Sequence, residues 1–286
     1  MPRRAVPKKW PTGLIEVAPK VYGYIQGGQP GSSNSGLIAG EDSAIAIDTL
    51  FTPRMTRRFL RAIRGATRSP VQHLINTHHH SDHTGGNQFF PRAQIVAHVN
   101  CCQEMRRSGM NLERLRRLAP RIAAEMEGVR LVLPSVTYAG QMTLYQDGRP
   151  VELLYMGPAH TPGDTLVYLP REKVLFAGDV AFHYVTPLAL EGHVSGWVRV
   201  ADRIANLDVE VIIPGHGPIG TKKELREMRD YLALVRREAR RSFRAGEPEE
   251  EAARRLRVGG YYAQWVYPER LPSLVKRLYK EFRGEM

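Results

Sequence analysis

Four of the chain's ten histidines fall within six residues: His78, His79, His80 and His83, with Asp82 interleaved. Neutral imidazoles with a carboxylate among them suit zinc or another borderline divalent ion, whereas oxygen-only sets suit magnesium or calcium. In an extended loop His78, His80 and Asp82 would project to one side. His83 would turn to meet a second centre, and His79 would point away. Gly85-Gly86 would then let the backbone turn sharply into the next helix. Three further metal-capable residues sit in matching contexts: His160 in Gly157-Pro-Ala-His-Thr-Pro-Gly-Asp164, Asp179 in Leu175-Phe-Ala-Gly-Asp179, and His216 in Ile212-Ile-Pro-Gly-His-Gly-Pro218. Each follows an apolar strand-like run and is flanked by Gly or Pro that fixes a turn. α/β sheets place their ligands at such strand ends.

The elements that must position these residues are legible as short runs. Val21–Ile25, Leu37-Ile38, Ala44–Ile47, Val71–Asn76 and Ile95–Ala97 read as strands. So do Met142–Tyr145, Val151–Met156, Leu166–Leu169, Val174–Phe176 and Val209–Ile213. Gly27–Asn34 reads as a loop. Thr52 is placed to cap a helix opened by Pro53, with Met55, Phe59, Leu60 and Ile63 on one face and Gly65 at its end. Residues 100–128 are helical in pattern and rich in arginine. A further helix is expected from about Gly196 to Leu207. After Gly220 the pattern is helical throughout: Thr221–Arg244, with Leu225, Met228, Leu232 and Val235 on one face, then Glu249–Leu256 and Leu271–Phe282. Interspersed strands and helices predict a mixed α/β layered core over residues 1–220 and a helical extension over 221–286 packed on it.

A chain of 286 residues, 42% hydrophobic and 24% charged, is composed as a globular protein and not as a disordered or disulfide scaffold. The two cysteines, Cys101 and Cys102, are neighbours and read as buried small residues in a reducing compartment. The basic start Met1-Pro-Arg-Arg4 has no apolar run after it, and nothing approaches 18 consecutive apolar residues. The expectation is therefore a cytoplasmic chain without signal peptide or membrane span. The net charge of +12 is scattered, and aromatic residues do not interleave with it as they do in strand-binding grooves. It is denser over Arg106–Arg121 and from Thr221 onward. Nucleic acid is accordingly disfavoured as a partner, though not excluded, and a small-molecule substrate is expected.

The string His78-x-His80-x-Asp82-His83, followed by His160, Asp179 and His216, resembles the metallo-β-lactamase-fold hydrolase superfamily over roughly residues 20–220. His160-Thr-Pro-Gly-Asp-Thr and Pro214-Gly-His-Gly-Pro218 share that resemblance. It implies a four-layer αβ/βα sandwich with a dinuclear metal site along one edge. One ion would take His78, His80 and His160, the other Asp82, His83 and His216, with Asp179 bridging. The ions would be Zn2+, with Mn2+ or Fe as alternatives, and a homodimer is a common assembly in the superfamily. Asp48, after Ile45–Ile47, resembles an aspartate that steadies the histidine loop. The bridging Asp179 makes the ligand set similar to the glyoxalase II and lactonase branches. Where acyl-homoserine lactonases carry a Tyr, this chain has Phe182, and His183 or Tyr184 would have to substitute.

That resemblance implies a hydrolase of a small ester, thioester, lactone or amide. Two metals lower the pKa of a water between them toward about 7, and the resulting hydroxide attacks the substrate. Asp82 would also accept the water's proton. The alternatives are a phosphodiesterase or nuclease of the same fold, and a mononuclear iron persulfide dioxygenase. Tyr261, Tyr262, Trp265 and Tyr267 are read first as contacts that hold the extension to the core, and secondly as a substrate wall. Trp197 is read as core.

Overall fold

Successive side chains of the central strands join different apolar layers, and that alternation sorts the chain into four layers. A computed structural model describes residues 6–286 except Pro30 and Asn111. The basic start, Pro30 of the Gly27–Asn34 loop and Asn111 of the arginine-rich stretch lie outside the described residues.

The first sheet holds β1 (Gly13–Ala18), β2 (Val21–Ile25), β3 (Ser35–Ala39), β4 (Ala44–Ile47), β5 (Val71–Ile75), β6 (Gln94–His98) and β7 (Val136–Tyr138) in chain order. Strands β1 to β4 run antiparallel, and β4 to β7 run parallel. The second sheet runs β12-β11-β10-β9-β8, formed by β8 (Gln141–Gln146), β9 (Arg149–Leu154), β10 (Leu166–Leu169), β11 (Val174–Phe182) and β12 (Val211–His216). Only β11 and β12 pair in parallel.

Ile38, Ile45, Ile47 and Ile75 of one sheet meet Val167, Leu169, Phe176 and Ile213 of the other in a shared apolar layer. Their sequence neighbours face outward, as a period of two requires. Leu37, Ala46 and Leu74 pack under Phe59 and Ile63 of α1 (Pro53–Ala66). Leu175 and Ile212 pack under Trp197 and Ile204 of α6 (Val194–Ala205). The result is the αβ/βα arrangement, helices outside and sheets inside. Thr52 caps α1 by accepting the Met55 N–H, and Pro53 is its first residue, as its sequence predicts.

The remaining described helices are α2 (Ser81–Thr84), α3 (Val99–Ser108), α4 (Leu112–Leu118), α5 (Pro120–Glu125), α7 (Lys222–Arg244), α8 (Glu249–Arg255) and α9 (Leu271–Arg283). Thr221 and Glu224 form a capping box at the start of α7. Leu225, Met228 and Leu232 of α7 and Leu274 and Leu278 of α9 share one buried cluster with α6 and β11. Tyr262 and Trp265 are buried against Tyr231 of α7, with ring centroids 5.2 and 5.3 Å from it. Trp197 is fully buried.

Three strands depart from the sequence expectation, and α1 runs past Gly65 to Ala66. Strands β1 and β7 have no counterpart among the strand-like runs of the sequence: β1 is partly exposed on both faces and β7 is three residues long, so neither shows a clean alternation. Strand β11 does not stop at Phe176 but continues to Phe182, with register shifts on either side of Gly178. Such irregularities re-aim a side chain within a strand, and here the side chain is Asp179.

Candidate metal centre

The parallel strands β4 and β5 deliver Asp48 and the histidine segment to one edge of the sandwich. Asp48 takes a left-handed backbone conformation, φ 56°, directly after β4. Its Oδ1 accepts the Thr77 N–H at 2.8 Å, and its Oδ2 accepts the Thr77 hydroxyl at 2.7 Å and faces His83 Nδ1 at 2.7 Å. Asn76 and Asn87 clamp the two ends of the segment through a reciprocal pair of amide bonds at 2.8 and 3.1 Å.

The segment is not extended throughout. Thr77 to His79 bend, His80 is extended, and Ser81–Thr84 forms one helical turn, α2, so Asp82 and His83 are presented by a helix. The cause is local: the His80 carbonyl accepts the N–H groups of His83 and Thr84. Gly85 and Gly86 serve close approach and not a sharp turn, since both have negative φ. A Cβ on Gly85 would lie 2.1 Å from the Phe51 carbonyl oxygen, and one on Gly86 2.2 Å from Thr56 Oγ1. His79 does not point away; it lines the cavity, its ring 4.6 Å from that of His80.

The loop after β9 presents His160. Asp164 closes that loop by accepting the Thr161 N–H at 2.9 Å and the Thr161 hydroxyl at 2.6 Å. Burial pushes the Asp164 carboxyl up to about 7, despite those bonds. Trp197 backs His160, ring centroids 5.2 Å apart, and donates its indole N–H to the Val180 carbonyl at 2.9 Å. At the end of β12, His216 Nδ1 lies 2.8 Å from the Ser32 carbonyl oxygen, which fixes Nδ1 as the donor and leaves Nε2 facing inward. The Asn34 amide donates to Pro214 and Gly217 carbonyls at 2.9 and 2.8 Å and so holds the same loop. Gly215 is obligatory here, because a Cβ would fall 1.9 Å from Asp179 Oδ1.

These side chains converge into two groups whose donor atoms lie within 4.8 Å of one another: His78, His80, His160 and Asp179 in one, Asp82, His83 and His216 in the other. Asp179 touches both. Its Oδ2 is 3.2 Å from His160 Nε2 and 3.3 Å from His216 Nε2, and its Oδ1 is 3.0 Å from His83 Nε2. Burial raises the Asp179 carboxyl, but His216, His83 and His160 outweigh it and hold it well below the usual range. Burial lowers the His216 imidazole, while Asp179 and Asp82 override it and lift it to about 9.

The donor set fits divalent metal. Buried His78 Nε2 has no hydrogen-bond partner, His83 Nε2 and Asp179 Oδ1 lie 3.0 Å apart without making an aligned bond, and His160 Nε2 faces His80 Nδ1 at 3.0 Å. Buried polar atoms are rarely left so, and nitrogen lone pairs turned toward one another need a cation or proton between them. Asp82 is the most accessible of the seven, with about a fifth of its side chain exposed to the cavity.

Two residues at this site carry no signature in the sequence. Glu191, in the segment between β11 and α6, faces His80 Nε2 at 2.9 Å. Burial raises its carboxyl, yet the His80 contact brings it down to about 2. Arg277 of α9 holds that segment through the Glu191 and Gly192 carbonyls, each at 2.5 Å. Arg270, just before α9, lines the same cavity, which measures about 290 Å³. Glu191 belongs to no motif, and Arg270 is one arginine among many; only the packing of α9 brings them in. His183 and Tyr184, by contrast, do not line the cavity. His183 Nδ1 meets the Pro218 carbonyl at 3.0 Å, and the Tyr184 hydroxyl donates to Glu224 at 3.1 Å.

An αβ/βα sandwich with a histidine–aspartate cluster at its edge defines a metal-site fold. The family model described as the metallo-beta-lactamase superfamily matches residues 28–216, and the chain belongs to that superfamily. The chain is similar to the 2,4-dinitroanisole O-demethylase subunit alpha of Nocardioides sp., 31% identical over 184 residues, covering 63% of this chain and 51% of that one. It is also similar to an alkyl/aryl-sulfatase of Saccharomyces cerevisiae, 26% identical over 323 residues, covering 95% and 49%. Among solved structures, the stereoselective inverting sec-alkylsulfatase of Pseudomonas sp. superposes with a TM-score of 0.75 at 19% identity, over 96% of this chain and 51% of that one. The chain thus spans about half the length of these three proteins.

Proposed function

We propose that the chain is a metal-dependent hydrolase working with two divalent ions, zinc in the first instance, with manganese or iron accepted by the same donors. His78, His80 and His160 would hold one ion and Asp82, His83 and His216 the other. The observation that carries this reading is Asp179, whose two oxygens reach imidazoles of both groups at 3.0 to 3.3 Å. Bound ions would supply an activated water and polarise the substrate's oxygen. The protein's own part is then to orient and to move a proton. Asp48, Glu191 and the Ser32 carbonyl fix three of the imidazoles, and Asp82, open to the cavity, is placed to take up the proton as the substrate is attacked. Phe51, Met110, Leu115, Leu188 and Leu190 give the cavity apolar walls suited to a small acyl or aryl group.

The substrate class in this reading is a small ester, thioester, lactone or amide. A sulfate ester or aryl ether is the second reading, favoured by the names of the two relatives described above. A phosphodiester is less suited, since Arg270 is the one Lys or Arg among the described lining residues. Cys101 and Cys102 are free and buried, which fits a reducing compartment and supports a cytoplasmic address. No helix among the described residues is long and apolar enough to cross a membrane.

The test is metal content by mass spectrometry, followed by turnover of 4-nitrophenyl acetate, 4-nitrophenyl sulfate and bis-nitrophenyl phosphate with and without chelator. About two ions per chain and chelator-sensitive ester turnover, abolished by Asp82→Ala, are expected. Turnover untouched by chelator or by Asp82→Ala would overturn the reading. One iron per chain with oxygen consumption would replace it with a dioxygenase.

A further inference from the structure

Arg270 reaches the cavity by a strained route. Tyr267 adopts a left-handed conformation, φ 61°, which a bulky residue takes only when its surroundings impose it. Its hydroxyl donates to the Gly28 carbonyl at 2.7 Å, and Val266 is stitched to the chain beyond β11 through Val266 N–H to Tyr184 O at 3.0 Å and Thr186 N–H to Val266 O at 2.9 Å. The turn that follows lays the Arg270 guanidinium 4.3 Å above the Tyr267 ring and gives its Nη1 one bond, 3.3 Å to the Thr186 carbonyl.

Arg270 is partly buried, and among the described residues no carboxylate lies within ion-pair distance of it. Burial pushes its pKa down, opposed by the fields of Asp179 and Asp82. A guanidinium carries five donors in a fork that matches a two-oxygen anion, and here one donor is used within the protein. A partly desolvated charge held on such a turn without a paired carboxylate carries a cost in the free protein. A ligand oxyanion would remove that cost, and Phe51, Met110, Leu115, Leu188 and Leu190 give the same cavity apolar walls.

We infer that Arg270 is an oxyanion subsite and that the substrate is an amphiphilic ester, with an apolar body against those walls and a carboxylate or sulfate group on the guanidinium. This rests on the hydrolase reading above. The Tyr267 ring orients the fork, and the scissile bond, between the two ends of the molecule, would lie at the residues that would hold the ions, His78, His80, His160, Asp82, His83, His216 and Asp179.

The test compares three aryl substrates on metal-loaded enzyme: 4-nitrophenyl butyrate, which is neutral, mono-4-nitrophenyl glutarate, which carries a carboxylate, and 4-nitrophenyl sulfate. Arg270→Gln should lower kcat/KM for the preferred anionic substrate relative to the neutral one by about 10- to 100-fold, mainly through KM. Arg270→Lys should restore part of that ratio. Which anionic substrate carries the effect decides between a pendant carboxylate and the sulfate itself. A ratio unchanged by Arg270→Gln would overturn the subsite while leaving the hydrolase standing. Should no ester turn over, calorimetric titration of the loaded protein with octanoate, octyl sulfate and octanol still decides. Binding of an anion, but not of the alcohol, that is lost in Arg270→Gln at equal metal content upholds the subsite; binding equal in both proteins sinks it.

Discussion

The Asp48 carboxylate meets His83 Nδ1 at 2.7 Å while its other oxygen accepts the Thr77 N–H, so one buried aspartate sets both the imidazole and the start of the loop that carries it. With Nδ1 engaged, His83 offers Nε2 to the cluster, 3.0 Å from Asp179. Carboxylates in this position typically govern metal affinity by 10- to 100-fold. Asp48→Ala is therefore expected to weaken retention of one ion per chain by about that factor, measured by competition with a chromophoric chelator. Wild-type retention in this variant would show that the loop stands without it.

Glu191 does for His80 what Asp48 does for His83. At 2.9 Å from His80 Nε2, it turns Nδ1 toward His160. Glu191→Gln keeps an acceptor oxygen but removes the charge, so a loss of roughly tenfold in affinity is expected. The ion lost should be the one held by His78, His80 and His160. The pairing can be read with cobalt substitution: if Asp48→Ala and Glu191→Gln bleach different bands of the loaded protein, the two carboxylates serve different ions. Identical spectral losses would contradict this division.

How much of this was legible in the sequence depends on where each residue's constraint lies. His78, His80, Asp82 and His83 lie in one segment after β5, His160 and His216 in turns set by nearby Gly or Pro, and Asp179 beside Gly178 inside β11; each constraint is local, so their convergence followed from spacing and family resemblance. Asp48 is found the same way, one residue past β4. Glu191 and Arg270 are placed by contacts across the chain: Arg277 of α9 holds the first, and a left-handed Tyr267 bound to Gly28 aims the second. No periodicity encodes such contacts. The helical turn at Ser81–Thr84 escaped for a related reason, because its N–H groups are satisfied by the His80 carbonyl and by Ser81, with no side-chain cap to announce it.

Asp164 gives a pH prediction. In the folded protein burial lifts its carboxyl to about 7, whereas an unfolded aspartate titrates near 3.9. Between those values the folded state binds the extra proton, so stability falls as pH rises from about 4 to about 7 and is flat above. Each tenfold difference in proton affinity is worth about 1.4 kcal/mol, so the window amounts to several kcal/mol. Asp164→Asn has no proton to lose, and the slope of its thermal midpoint across this range should be shallower than that of the wild type. Parallel pH profiles would mean that Asp164 is ionised throughout.

The helices α7 to α9 pack on the sandwich through one continuous apolar cluster, and that packing says how the protein should melt. Leu278 of α9 is fully buried in the same cluster as Leu232 of α7, Trp197 of α6 and Val180 of β11. Truncating such a leucine costs about 2–5 kcal/mol through lost burial and the cavity left behind. Because the cluster is continuous from α9 to the sheet, that loss falls on the whole fold. Leu278→Ala should therefore lower the midpoint of one cooperative transition, seen alike by tryptophan fluorescence and far-ultraviolet circular dichroism, and should also loosen the Arg277 grip on Glu191. Two separated transitions, the first leaving metal retention intact, would show that the helical segment and the sandwich unfold as independent units.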